Sequence, residues 1–140
     1  MPAKYIIDTC IWRDFYENRT GFTGNPLGKY ASEMFMLIVK KNHKVLFSKC
    51  IIWELKKDHK EEEINNMLGL LAMNNILARI DITDDEYNEA RNLSQKRNLP
   101  LVDCLIAVQA RNHNAVIISN DKHFDLLSDI AIRIRPNELR

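Results

Sequence analysis

The sequence predicts an α/β fold built on a parallel sheet of four to five strands, and three observations carry that expectation. Short runs of β-branched and aromatic residues recur along the chain, longer segments with helical spacing lie between them, and acidic residues follow the short runs or open the helical ones. Near-continuous apolarity over so few residues suits strands covered on both faces, and strands alternating with helices imply βαβ crossovers.

The elements follow in order. Tyr5 to Ile7 reads as the first strand, and Asp8 and Thr9, both residue types that cap helices, come straight after it. Gly21, Gly24 and Gly28 cluster with Pro26, so the stretch from Gly21 to Gly28 reads as a loop; it lacks the Gly-Lys-Ser/Thr of a nucleotide-binding loop. Ala31 to Val39 is apolar enough for a largely buried helix, and Val45 to Phe47 forms the second strand. Glu54 then interrupts the apolar stretch Cys50, Ile51, Ile52 and Trp53, one turn into the next helix. Ile64, Met67, Leu68, Leu71 and Ala72 trace one face of a 3.6-residue period. Leu77 to Ile80 is a less regular strand candidate. Thr83 with Glu86 reads as a capping box opening a helix through Tyr87, Ala90 and Leu93, and Pro100 opens another running to about Asn112. Ala115 to Ile118 is a strand leading through Ser119 and Asn120 to Asp121, where Lys122, His123 and Phe124 begin a further helix. Ala131 to Ile134, interrupted by Arg133, completes the set.

Composition narrows the classes. The 140 residues fit one domain, residues 1–140, large enough to bury a core without disulfides. With 46% hydrophobic and 28% charged residues, the chain reads as globular rather than disordered. No basic and apolar leader precedes the first strand, and no apolar run approaches spanning length, so neither a signal peptide nor a membrane span is expected. Cys10, Cys50 and Cys104 are odd in number and lack metal-type spacing, which suits reduced thiols in a cytoplasmic setting and makes the sequons at Asn18 and Asn92 chance matches. A net charge of +1 leaves nucleic-acid binding open, because local patches such as Lys40, Lys41, His43 and Lys44, or Lys56 and Lys57, can serve it, although solvated helix ends explain them equally well.

Asp8, Glu54, Asp103 and Asp121 carry most of the functional information. Each has an ordinary explanation: Asp8 and Asp121 suit helix N-caps, Asp103 gains from a helix dipole, and Glu54 can simply be exposed. Those explanations do not account for all four occupying matching topological positions. In a parallel α/β sheet, groups that follow strand ends converge on the crevice at the carboxyl edge. Acids crowded there repel one another unless a cation holds them, and Mg²⁺ or Mn²⁺ suits an all-oxygen set.

The runs KYIIDTCIW, IIWELKK, LPLVDCLIAVQA and VIISNDKHF resemble the four motifs of PIN-domain nucleases, in order and across nearly the whole chain. Size and layout resemble the VapC-type toxin ribonucleases in particular. The resemblance implies a PIN-like three-layer sandwich and a metal-dependent endoribonuclease acting as the toxin of a type II toxin–antitoxin pair. Asp8, Glu54, Asp103 and Asp121 match the family's acidic quartet, Thr9 and Ser119 its accessory hydroxyls, with Asp125 a secondary metal candidate and Lys122 a secondary substrate contact. One or two Mg²⁺ or Mn²⁺ ions held by the quartet would acidify a water and offset charge on the scissile phosphate, with single-stranded or looped RNA as substrate. A small antitoxin is the implied partner. A homodimer is expected through the helices near Ala31 to Val39 and Ile64 to Ala72, from the apolar surface they carry.

Other classes stay in view: a stand-alone RNA-processing nuclease of the same family, a catalytically silent RNA-binding or scaffold module, and a phosphoacceptor domain. The last needs a lysine after the final strand, which Ile132 to Pro136 does not offer. Cys10 and Cys104 invite a thiol or zinc reading, but no Cys-x-x-Cys or spaced histidine pair accompanies them. His123 could orient a phosphate or assist the leaving group but reads first as a surface residue, and Trp12 and Trp53 read as core or interface residues.

Overall fold

The protein is described here by a computed structural model, which covers residues 3–21 and 23–140. Five strands, β1 (Lys4–Ile7), β2 (Lys44–Ser48), β3 (Leu77–Ile80), β4 (Val116–Ile118) and β5 (Arg133–Ile134), form one parallel sheet in the order β3-β2-β1-β4-β5. All five expected strands are present. Ile6 of β1 pairs with Leu46 on one side and Ile117 on the other, and Tyr5, Ile6 and Ile7 are buried, as a strand enclosed by its sheet and by both covering layers requires.

Six helices connect the strands: α1 (Thr9–Glu17), α2 (Leu27–Lys40), α3 (Lys49–Leu55), α4 (Glu61–Met73), α5 (Asp84–Arg97) and α6 (Leu101–Asn112). Helices α1 to α4 serve the steps from β1 outward to β3, whereas α5 and α6 serve the return from β3 to β4, so right-handed crossovers put the two groups on opposite faces. Packing agrees, with α1 against α2 and α4, and α5 against α6. The direction of strand addition reverses between β1 and β4. Their carboxyl ends therefore border the crevice where such sheets bind ligands.

Local chemistry fixes the helix ends. Thr83 and Glu86 make the expected capping box of α5, at 3.1 and 3.0 Å, and Ser48 caps α3. Asn18, Asn42, Asn75, Asn98 and Asn114 all adopt positive φ just after helices, the left-handed turn that usually falls to glycine. Asparagine in that role accounts for helix stops in a chain with only 4 glycines.

The segment from Gly21 to Gly28 departs from a simple loop at its end, because Leu27 and Gly28 already belong to α2. A Cβ on Gly28 would stand 2.5 Å from the Asn18 Cα, so this glycine permits a close approach of α2 to the end of α1. The segment begun by Lys122 is a 3₁₀ helix, Lys122–Leu127. Trp12 lies at the centre of the core, its ring 4.9 Å from Phe35 and 5.9 Å from Phe47, while its indole N–H donates to the Ile7 carbonyl at 3.1 Å. Trp53, by contrast, is 47% exposed, so of the two places expected for it, core or interface, the core is excluded.

Candidate active site

Asp8 leaves β1 as the N-cap of α1, Glu54 lies in the last turn of α3, Asp103 in the first turn of α6, and Asp121 caps the 3₁₀ helix after β4. These four elements end on one edge of the sheet. All four acids line a single cleft of about 200 Å³, together with Thr9, Cys10, Arg13, Pro100 and His123. The capping explanations are thus correct for Asp8 and Asp121, and capping is also how the fold aims them.

The hydroxyls expected as accessories hold the acids in place. Ser119, fully buried, donates to Asp8 Oδ2 at 2.7 Å and accepts the Asp121 N–H at 3.0 Å, joining the two strands at the crevice. Thr9 donates its hydroxyl to Glu54 Oε1 at 3.3 Å and its N–H to Asp8 Oδ1 at 2.8 Å. Asp125 does not enter the cleft; it pairs with Arg133 on the outer side. Lys122 is exposed and also lies outside the lining.

Three further polar residues line the cleft: Arg13, for which the sequence raised no expectation, and His123 and Cys10, which it read first as a surface residue and a reduced thiol. His123 Nδ1 lies 2.9 Å from Asp103 Oδ2 and 3.2 Å from Asp121 Oδ1, so it bridges two members of the quartet. Its place two residues past Asp121, where the chain turns back over the crevice, was the available signal. Arg13, one turn past Thr9 on the same helix, donates to the Glu54 carbonyl at 3.0 Å and contacts Asp58 at 2.9 Å, fixing the end of α3. Cys10 places its thiol 3.4 Å from Asp8 Oδ2.

Electrostatics follow from burial and crowding. Asp8 is held above the usual carboxylate range by desolvation, which outweighs the hydrogen bonds from Ser119, Cys10 and Thr9. Asp103 is pushed up to about 7 by burial and then by the charges of Asp8 and Asp121. His123 is shifted upward, first by its hydrogen bond to Asp103. Burial and then the Asp8 charge raise the pKa of the Cys10 thiol, which disfavours the thiolate that a nucleophilic role would need.

The donor set fits a hard divalent cation. Ligand atoms of Asp103, Asp121 and His123 all lie within 4.8 Å of one another, with Asp8 and Glu54 on the same cleft wall. Oxygen donors predominate, and at least two of the acids are destabilised as anions without a counter-charge, which is the condition a bound cation relieves.

A family profile described as PIN domain matches residues 5–130. Among solved structures, VapBC2 from Rickettsia felis bound to a promoter DNA fragment superposes with a TM-score of 0.66 at 22% identity, covering 94% of this chain and 98% of that one. A toxin–antitoxin complex from Klebsiella pneumoniae gives a TM-score of 0.65 at 18% identity, covering 96% and 99%, and VapBC-1 from nontypeable Haemophilus influenzae gives 0.64 at 20%, also covering 96% and 99%. At these identities the likeness is one of fold. A search of curated protein sequences finds no significant match. Among the described residues, no helix is long and apolar enough to cross a membrane.

Proposed function

The chain belongs to the PIN-domain family, and from that premise we propose that it is a Mg²⁺- or Mn²⁺-dependent endoribonuclease, the toxin of a toxin–antitoxin pair. The observation that carries the reading is the convergence of Asp8, Glu54, Asp103 and Asp121 on one cleft, where Asp103 is pushed up to about 7 by its neighbours and its burial. A bare cluster of this kind is costly to the fold. A cation offsets the cost, and a cation facing a phosphodiester is what hydrolysis needs.

Asp8, Glu54, Asp103 and Asp121 would hold the ion, which supplies Lewis acidity that lowers the pKa of water and offsets charge on the phosphate. The residues' own work is positional. Ser119 keeps the Asp8 and Asp121 segments in register, and Thr9 and Arg13 fix Glu54 from its side chain and its carbonyl. His123, half-exposed in the cleft lining, bridges Asp103 and Asp121 through Nδ1 and leaves Nε2 for a phosphate oxygen. Hydrolysis joins the water oxygen to phosphorus as the bond to the leaving ribose oxygen breaks, giving a phosphate end and a hydroxyl end.

The toxin assignment draws on likeness in fold to toxin–antitoxin complexes over nearly the full length of both chains. An antitoxin partner and a homodimer belong to the same proposal. For the dimer the support is apolar surface left by α2 and α4, with Met36 59% and Met73 85% exposed. Incubation of the protein with single-stranded RNA in Mn²⁺ tests the activity: cleavage that EDTA stops is the expected result, and intact RNA at every metal concentration removes the reading.

A further inference from the structure

We propose that the outer face of α3 is a base-stacking subsite for single-stranded RNA, with Trp53 as the platform and Lys49, Lys56 and Lys57 as phosphate contacts. It rests on the ribonuclease reading and states where the strand lies as it leaves the cleft. Glu54 turns into the cleft from α3, and its neighbour Trp53 stands at the surface, 47% exposed. A helical step of four places Lys49 and Trp53 on one stripe. Past α3 the chain tightens, the N–H groups of Lys56 and Lys57 bonding to the carbonyls of Ile52 and Glu54 at 2.9 and 3.2 Å, four and three residues back, so both lysines stay within about one turn of Trp53.

The charges on this face favour a polyanion. Lys49, Lys56 and Lys57 are all exposed. Asp58, the acid closest in sequence, is engaged by Arg13 at 2.9 Å, while Lys49 makes only a 3.5 Å contact with an exposed Asp81. Lys56 also shares a groove with Arg79 of β3 and Glu61 of α4, two cations to one acid. Of the other large apolar residues of α3, Ile51 and Leu55 are buried and Ile52 is partly buried against Phe47, Ile64 and Leu68, so Trp53 is the one large apolar side chain that α3 leaves exposed, with lysines on either side of it. One exposed π-face bracketed by lysines, adjacent to a phosphodiester-cleaving cleft, matches what an unpaired strand presents: bases that stack and phosphates that need cations.

Fluorescence reads the subsite directly. Trp12 is fully buried, so the solvent-exposed component of the emission reports Trp53. The full chain is titrated with an eight-nucleotide oligouridine, and separately with an abasic oligomer of equal length, without divalent ion so that the strand stays intact. Quenching by oligouridine and not by the abasic chain is expected. Trp53→Ala should weaken oligouridine binding about tenfold, Trp53→Phe should retain most of it, and Lys49→Ala with Lys57→Ala should lower the salt slope by about 1.4. Equal quenching by the abasic chain overturns the proposal. So does unchanged RNA affinity in Trp53→Ala, including the case where that variant alters self-association instead and so assigns the face to a protein partner. Stacking on Trp53 without hydrolysis in Mn²⁺ would support the subsite while removing the nuclease reading; undiminished hydrolysis with unquenched Trp53 would do the reverse.

Discussion

Replacing Asp103 by asparagine tests how the acidic cleft stores energy. Asp103 is 6% exposed and its carboxyl is pushed up to about 7 from an ordinary 3.8, by burial first and by Asp8 and Asp121 next. Because the folded state binds this proton more tightly than the unfolded chain, the stabilising contribution is complete below pH 3.8 and is lost as pH rises through about 7. The difference corresponds to about 4 kcal/mol, a ceiling for one buried group. Asp103→Asn keeps the shape, cannot ionise, and can still accept from His123. Metal-free wild type should therefore lose stability between pH 4 and 7.5, whereas the variant should lose much less. Asp8, shifted upward chiefly by burial, leaves a residual slope of the same sign, whereas the upward shift of His123, which comes first from Asp103, largely goes with that carboxylate. At pH 7.5 in EDTA the variant should melt higher by up to about 10 °C. Added Mn²⁺ should narrow or reverse that gap, since wild type gains about 2.7 kcal/mol at one hundred times its dissociation constant and the variant gains less. Thermal melting followed by circular dichroism across pH, with and without Mn²⁺, measures both effects. An Asp103→Asn variant that melts below wild type in EDTA at pH 7.5, with the same pH slope, would refute the reasoning.

Two further outcomes are expected. Ser119→Ala removes the buried bridge between Asp8 and Asp121 and should cost about 1–3 kcal/mol in denaturant unfolding, while lowering the rate of RNA cleavage because both acids lose a fixed partner. Met36→Lys combined with Met73→Lys should convert a sedimenting dimer to monomer at micromolar concentration with the melting temperature nearly unchanged; a wild-type monomer at that concentration rules out the proposed dimer.

Most of the fold was legible because its strands are short apolar words in a sheet covered on both sides, which makes the pattern continuous rather than alternating. Glu86 after Thr83 and Pro100 before Leu101 marked helix starts through rules that act within one turn. Helix ends were less visible, since asparagine competes for caps, turns and surfaces alike, and only the structure shows five of them in the left-handed region. Gly28 looked like loop flexibility and proves to be a packing requirement against Asn18, a contact between α1 and α2 that sequence spacing does not express. Asp8 and Asp121 were marked by their place after strands, Asp103 by a helix start and Glu54 by an otherwise apolar stretch. His123 was not, because its partners Asp103 and Asp121 come from two different elements and meet only when α6 packs beside β4. The apolar stretch of α3 left Trp53 open between core and interface, and Ile51 and Leu55 fill the buried side and leave the indole outside.

The most direct measurement is single-turnover cleavage of single-stranded RNA by wild type, Asp8→Asn and Asp103→Asn, each in Mn²⁺ and in EDTA, with the fold of every variant verified by circular dichroism. The account predicts cleavage by wild type in Mn²⁺ and by no other combination. Cleavage that persists in EDTA, or that survives both substitutions in Mn²⁺, would contradict it.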